Sequence, residues 1–427
     1  MKLIVGEKPK TKKGVKPTIN YFQQEMLFPL HEILELEARN KYSWLFNIVN
    51  VRPAAKLLSN KGSVGRNGSD KSSVVRALIA QQVEKIPSQT KLIQRLKDDP
   101  YFRIACGFKE KGSVPSASTF SRCYKALTET GILDHIYQDL LDKAQDLGMI
   151  KGENIALDSS NLAAYDSPRP SSSVDKEDPD RADWGAKYDS NRNKLTWFGY
   201  KLHIACDAAS EIPLSFKLTP ANETDGEHAM SLVEDTANKF KKNPINWLFD
   251  KGYDFTYIYR DIAEDYQGQA ITPLNLRNSK TPPPGFADFK GTPQCSGGFE
   301  MVYWGHDGNY NKFRCPHAVG KVNCCHGVKW CSDSDYGLVV KTNPADDYRT
   351  YSLPHRGSKT WKKLYNKRTS IERVFSYLKN TFNLTNITVK GRNKAQTHVE
   401  LNLIALLATK IAAAKKGFQE ENQAKAA

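Results

Sequence analysis

Residues 197–207 read Trp-Phe-Gly-Tyr-Lys-Leu-His-Ile-Ala-Cys-Asp, with Phe198, Tyr200, Leu202, Ile204 and Cys206 alternating with their neighbours. A period of two over that length predicts a half-buried strand. Upstream, Asn154–Ser159 reads as a strand that is apolar up to Asp158. Downstream, Ile212–Leu218 is a third strand, joined to the 197–207 strand by a short hairpin. The run from Thr219 to His228 then leads into a helix reaching about Lys241, followed by a buried strand at Ile245–Asp250, a helix at Tyr253–Tyr266 and a strand at Gln269–Pro273. Three strands, helix, strand, helix, strand is a mixed α/β order.

The flanks differ in character. Residues 1–20 are lysine-rich and read as a basic arm. Residues 21–150 read as helical, from Phe22, Met26, Leu27, Leu30, Ile33 and Leu34 onward, with a polar loop at Ser59–Ser73. Within them, Ser113–Arg122 forms a turn into a helix capped by Ser116 or Ser118. That segment is either the second helix of a helix-turn-helix or one arm of an ordinary helical hairpin. Residues 151–275 are the first part of the α/β core, after which 276–350 interrupt it with Pro, Gly, Cys and aromatics. Residues 351–415 complete the core with helices at about 358–381 and 394–415, and 416–427 are a tail. Ser167–Arg192 reads as a charged Pro/Ser-rich loop.

The chain has 427 residues, enough for two or three domains. Lysine and arginine total 62 against 47 acidic residues, a net +15 that favours a polyanionic partner, with DNA or RNA first. The most apolar run, Val399–Ala414, is broken by Glu400, Asn402 and Lys410 and reads as a packed helix, not a membrane span. Met1–Pro17 lacks the apolar stretch of a signal peptide, so a cytoplasmic, nucleoid-associated location is expected.

The chemistry is concentrated near the C-terminus, in Tyr365-x2-Arg368-x3-Glu372-x6-Lys379. At about 100° per residue these four side chains fall within roughly 60° of one another on a helix. Ile371, Val374, Phe375 and Leu378 form an apolar stripe beside that face, able to pack on a sheet. Alone, the tetrad also reads as a solvated helix with an Arg368–Glu372 ion pair. Two apolar runs ending in Asp158 and Asp250 change the balance. On adjacent strands these aspartates lie close, and with Glu372 they form a carboxylate set for two Mg²⁺ ions (or Mn²⁺) that activate water and stabilise a leaving oxygen. Arg368 and Lys379 would contact phosphate, and Tyr365 a DNA terminus. Arg373 and Lys367, with Lys359, Lys362, Lys363, Lys390, Arg392 and Lys394, extend a basic flank. His203 and His228 are either structural or orient a carboxylate; Asp254 reads as a helix cap, and Asp207 as a turn residue.

These residues resemble an insertion-sequence DDE transposase of the cut-and-paste type with a Tyr-Arg-Glu-Lys signature. The signature matches at Tyr365, Arg368, Glu372 and Lys379, and the two aspartates match in Ala156-Leu-Asp-Ser-Ser160 and Phe249-Asp-Lys-Gly-Tyr-Asp254. Phe198–Asp207 and Leu218–Asp225 resemble the strands between them, so the likeness covers about 150–412. It implies a ribonuclease H-like mixed sheet flanked by helices, with a Cys-rich β insertion before the glutamate helix. It also implies binding of terminal inverted repeats, transfer of a freed 3′-hydroxyl into target double-stranded DNA, and a homodimeric synaptic complex. In such enzymes an extruded base at a hairpin end can be stacked on an aromatic, and Trp304 and Trp330 are the candidates here. Two other readings stand beside it: a catalytically silent DNA-binding derivative, and a metal nuclease without strand transfer.

Five of eight cysteines lie between Cys295 and Cys331. Cys295, Cys315, Cys324 and Cys331 are the preferred ligands of a structural Zn²⁺, with Cys325, His317 and His326 as competitors. The spacing lacks paired Cys-x2-Cys knuckles, so free buried thiols are the alternative.

Overall fold

The structure is a computed structural model that describes residues 41–426, apart from 60–68, 169–180, 189, 190, 192, 241 and 278. The basic arm, the helical pattern of 21–40 and much of the two polar loops lie outside the described residues.

The helical region supplies α1 (Lys41–Ile48), α2 (Arg52–Leu58), α3 (Lys71–Val83), α4 (Gln89–Asp98), α5 (Pro100–Ala105), α6 (Ala117–Thr130) and α7 (Ile132–Asp146). Asp70 starts α3 by accepting from the Ser72 and Ser73 amides, satisfying helix donors that have no partner within the helix. Helices α6 and α7 meet at Gly131, whose φ of +62° closes one helix and opens the next.

The core sheet uses β1 (Asn154–Ala163), β2 (Asp183–Tyr188), β3 (Lys194–Asp207), β4 (Pro213–Pro220), β5 (Asn246–Leu248) and β6 (Gln269–Ile271). Strand β3 lies antiparallel to both β1 and β4, while β1 and β5, and β5 and β6, are parallel. The order across the sheet is therefore β4-β3-β1-β5-β6, with β2 on the projecting first half of β3. Strand β2 falls in the stretch expected to be loop. Gly199 lets β1 and β3 pair tightly: at φ +155°, a Cβ there would come within 2.2 Å of the Leu162 carbonyl oxygen.

Helices α8 (Asp225–Ala237) and α9 (Thr256–Glu264) connect the later strands. A three-stranded antiparallel sheet, β7 (Val302–Asp307), β8 (Tyr310–Arg314) and β9 (Val339–Thr342), occupies the insertion. The chain then forms α10 (Lys359–Tyr365), a 3₁₀ joint at Asn366–Arg368, α11 (Thr369–Ser376), a π turn at Tyr377–Thr381 and α12 (Arg392–Ala426). The tail is thus a continuation of α12 through Ala426.

Ile371, Val374, Phe375 and Leu378 are all buried, seating α11 on the sheet. Helix α12 is long and apolar enough to cross a membrane by composition, but it is mostly buried within the protein. Tyr124 of α6 donates to the Lys394 carbonyl at 3.0 Å and Thr128 pairs with Thr397 at 2.9 Å. The N-terminal helices therefore share one apolar cluster with the sheet and α12.

Candidate active site

Strand β1 is buried through Ile155, Ala156 and Leu157, and its face opens at Asp158. Asp158 Oδ1 accepts the Ser159 amide at 2.7 Å, and Oδ2 lies 3.1 Å from Arg368 Nη1. Asp250 follows β5 on the neighbouring parallel strand, and its Oδ1 accepts the Gly252 amide at 2.7 Å. Burial, and then the Asp250 charge, push the Asp158 carboxyl up to about 7. Burial raises Asp250 as well. Each carboxylate costs the fold free energy that a nearby cation would offset.

Arg368 supplies part of that charge. It leaves the 3₁₀ joint rather than a regular helix turn, bonds Asp158 with one nitrogen and donates to Glu372 Oε1 with another. Glu372, in the first turn of α11, has a side chain 55% exposed and is held by this arginine, not by the aspartates. Tyr365 stacks on Trp361 at 5.1 Å, and the Arg368 guanidinium lies 5.8 Å from its ring centre. Lys379, carried by the π turn, donates to Ser160 Oγ at 2.7 Å and the Asn161 carbonyl at 3.0 Å. All four tetrad residues therefore border β1 where Asp158 emerges. Arg373 points elsewhere, to Glu211 in the β3–β4 turn, and Lys367 is exposed.

Among the described residues, no three His, Cys, Asp or Glu side chains are arranged to hold a metal ion. For the acids the reason is visible: Arg368 stands between Asp158 and Glu372. The donor chemistry still fits a hard divalent cation, because every candidate ligand is a carboxylate oxygen and the two half-buried aspartates repel each other.

No zinc site is seen among the described residues. Cys331 lies in the electrostatic neighbourhood of Cys315, Cys295 and Cys324, which together with burial, the larger cause, raise its thiol. Its Sγ nevertheless faces the Val328 carbonyl at 3.8 Å, Cys315 is buried and Cys325 exposed, and no three converge on a common point. Trp304 and Trp330 are exposed, one under Arg314 and the other stacked on His326.

Asp254 does not cap the helix that follows it, whose N-cap is Phe255. It is buried, bound by Arg349 through both oxygens, and accepts from the Asn275 amide. Asp207 is the turn residue expected, accepting from Ser210 and Gly152. Sequence reasoning missed Asp225 and Tyr253. The buried Tyr253 hydroxyl is pushed far up by burial and by the charges of Asp225, Asp158 and Asp250. The only local signal was the position of Asp225 at a helix start.

Residues 151–408 match the family model described as a transposase DDE domain, and residues 32–126 match one described as a transposase domain (DUF772). A comparison with curated proteins finds no match. Among solved structures, a piggyBac transposase synaptic complex with hairpin DNA is similar at 12% identity and a TM-score of 0.41, over 88% of this chain and 75% of that one.

Proposed function

The chain belongs to the transposase DDE-domain family, and from that premise we propose that this DNA transposase binds the terminal inverted repeats of an insertion sequence, cuts there and joins the freed end to target DNA. The single observation that supports the reading is that Arg368 bonds both Asp158 and Glu372 while the charge of Asp250 acts on Asp158. A ribonuclease H-like core is supported by the strand order β4-β3-β1-β5-β6, antiparallel on one side of β1 and parallel on the other.

Asp158, Asp250 and, once Arg368 releases it, Glu372 would hold the Mg²⁺ ions, with Mn²⁺ as a substitute. Bound divalent ions would supply positive charge at the attacking and leaving oxygens of the phosphodiester. The chain's own groups do the rest. Arg368, freed from Glu372, offers its planar fork to a phosphate, and Tyr365 holds the guanidinium from below. Lys379 fixes the continuation of β1 and so the direction of Asp158. Lys367 and the exposed lysines of α10 form the flank along which duplex DNA would lie; Arg373 braces the β3–β4 turn. A homodimer acting at the nucleoid in the cytoplasm completes the reading, because two ends are joined in one event.

The test is incubation with Mg²⁺ and a labelled duplex carrying an element end. Joined product supports transposition. Cleavage without joining would leave a plain nuclease, and binding alone a silent derivative.

A further inference from the structure

Asp225 is the first residue of α8, with a side chain 33% exposed. It lines a cavity of about 420 Å³ with Gly226, Lys201, Glu223, Gly252 and Phe255. Gly252 is the residue whose amide holds Asp250, so Asp225 and the Asp250 turn border the same space. The first turn of α8 is clamped there. Tyr257 donates to the Gly226 carbonyl at 2.8 Å, and a Cβ on Gly226 would meet the Phe255 ring at 2.7 Å.

Lys201 pairs with the Asp225 carboxylate, and His203 lies beside it. Lys201 Nζ lies 3.1 Å from Oδ1 and also donates to the Glu223 carbonyl at 2.7 Å. His203 is 0% exposed, and its Nε2 is engaged by Thr219. Its Nδ1 has no hydrogen-bond partner and lies 4.0 Å from Asp225 Oδ1. Burial drives His203 down to about 3, so it presents a neutral ring. An ordinary helix-start acid paired with a lysine would concern only its own surroundings. Asp225 differs in reach: its charge is among those that raise Asp158, Asp250 and Tyr253.

We propose that Asp225 is a fourth acid of the catalytic centre, a positioning residue that faces the Asp250 turn across the shared cavity and strengthens divalent-cation binding by Asp158 and Asp250. The inference rests on the metal-binding reading of those two aspartates. Lys201 sets the strength of the effect by neutralising part of the Asp225 charge.

The test titrates Mn²⁺ alone into the full chain and reads free Mn²⁺ by electron paramagnetic resonance, without DNA. Asp225→Asn is expected to weaken Mn²⁺ binding about tenfold, the order expected for one charge removed at short range. Asp225→Glu recovers most of it, and Lys201→Met tightens binding. Wild-type Mn²⁺ affinity in Asp225→Asn, with binding lost in Asp158→Asn, would overturn this role while leaving the metal centre intact. Wild-type affinity in Asp158→Asn would overturn the metal centre itself. Should Asp225→Asn fail to fold, Lys201→Met decides alone, and unchanged affinity there would overturn the proposal.

Discussion

Arg368 bridges Asp158 and Glu372, standing 3.1 Å from Asp158 Oδ2 while donating to Glu372 from its other terminal nitrogen. The guanidinium supplies positive charge to both acids. Its side chain is only 16% exposed and that of Asp158 21%, so little solvent screens the pair.

Removal of that arginine is expected to destabilise the protein mainly when no metal is present. Arg368→Ala in chelator should lose about 1.5–3 kcal/mol, the range for a hydrogen bond to a charged group. Added Mg²⁺ should stabilise the variant more than the wild type, because nothing competes for the acids. Urea unfolding with and without Mg²⁺ measures both. An identical loss in the two conditions would mean that arginine and metal do not share the site.

Asp158→Ala, Asp250→Ala and Glu372→Ala should each reduce cleavage about a thousandfold or more, as loss of a member of a catalytic unit does. Binding of an end-containing duplex should remain. Gel-shift and strand-cleavage assays on the same preparations separate the two effects, and full cleavage by any variant removes that residue from the metal site.

The Asp158 carboxyl titrates near 7 in the folded protein against an ordinary 3.8. Between those values the folded chain binds more protons than the unfolded one, so this group lowers stability as pH rises through the window. Divalent metal requires the deprotonated form. Metal affinity should therefore rise about tenfold per pH unit below pH 7 and level off above it. Mn²⁺ titrations at several pH values test the slope, and an affinity that does not change with pH below 7 would overturn the expectation.

The parts of this site visible in the sequence were those set by local pattern. Asp158 and Asp250 stand out because each ends an apolar run, and the tetrad because helical spacing gathers it. The 3₁₀ joint that swings Arg368 between two acids depends on how α10 and α11 pack, which spacing alone does not express. Strand β2 was hidden for another reason. It lies at an edge with Trp184 and Tyr188 exposed, and its one buried residue is Gly185, covered by the Trp197 ring, so no alternation marks it. Asp225 becomes a neighbour of the aspartates only after α8 docks. The cysteines are close in sequence, but proximity there does not aim three sulfurs at one point.

Asp254 shows how far a partner can lie from its residue. Its side chain is 0% exposed and accepts from Arg349 Nε and Nη2, at 3.0 and 2.7 Å, across 95 positions of sequence. It also accepts the Tyr259 hydroxyl at 2.8 Å and the Asn275 amide at 2.6 Å. One carboxylate thus ties α9 and the segment after β6 to the chain returning from the insertion. Arg349→Ala would leave that buried charge without its cation, at a cost of about 3 kcal/mol. Asp254→Asn combined with Arg349→Ala should cost less than the sum of the single changes, because the amide needs no counterion. Urea unfolding of the three variants measures the coupling, and limited proteolysis of 276–350 should quicken in Arg349→Ala. Additive losses, or a loss below about 1 kcal/mol for Arg349→Ala, would mean that the insertion is fastened to the catalytic sheet by other contacts.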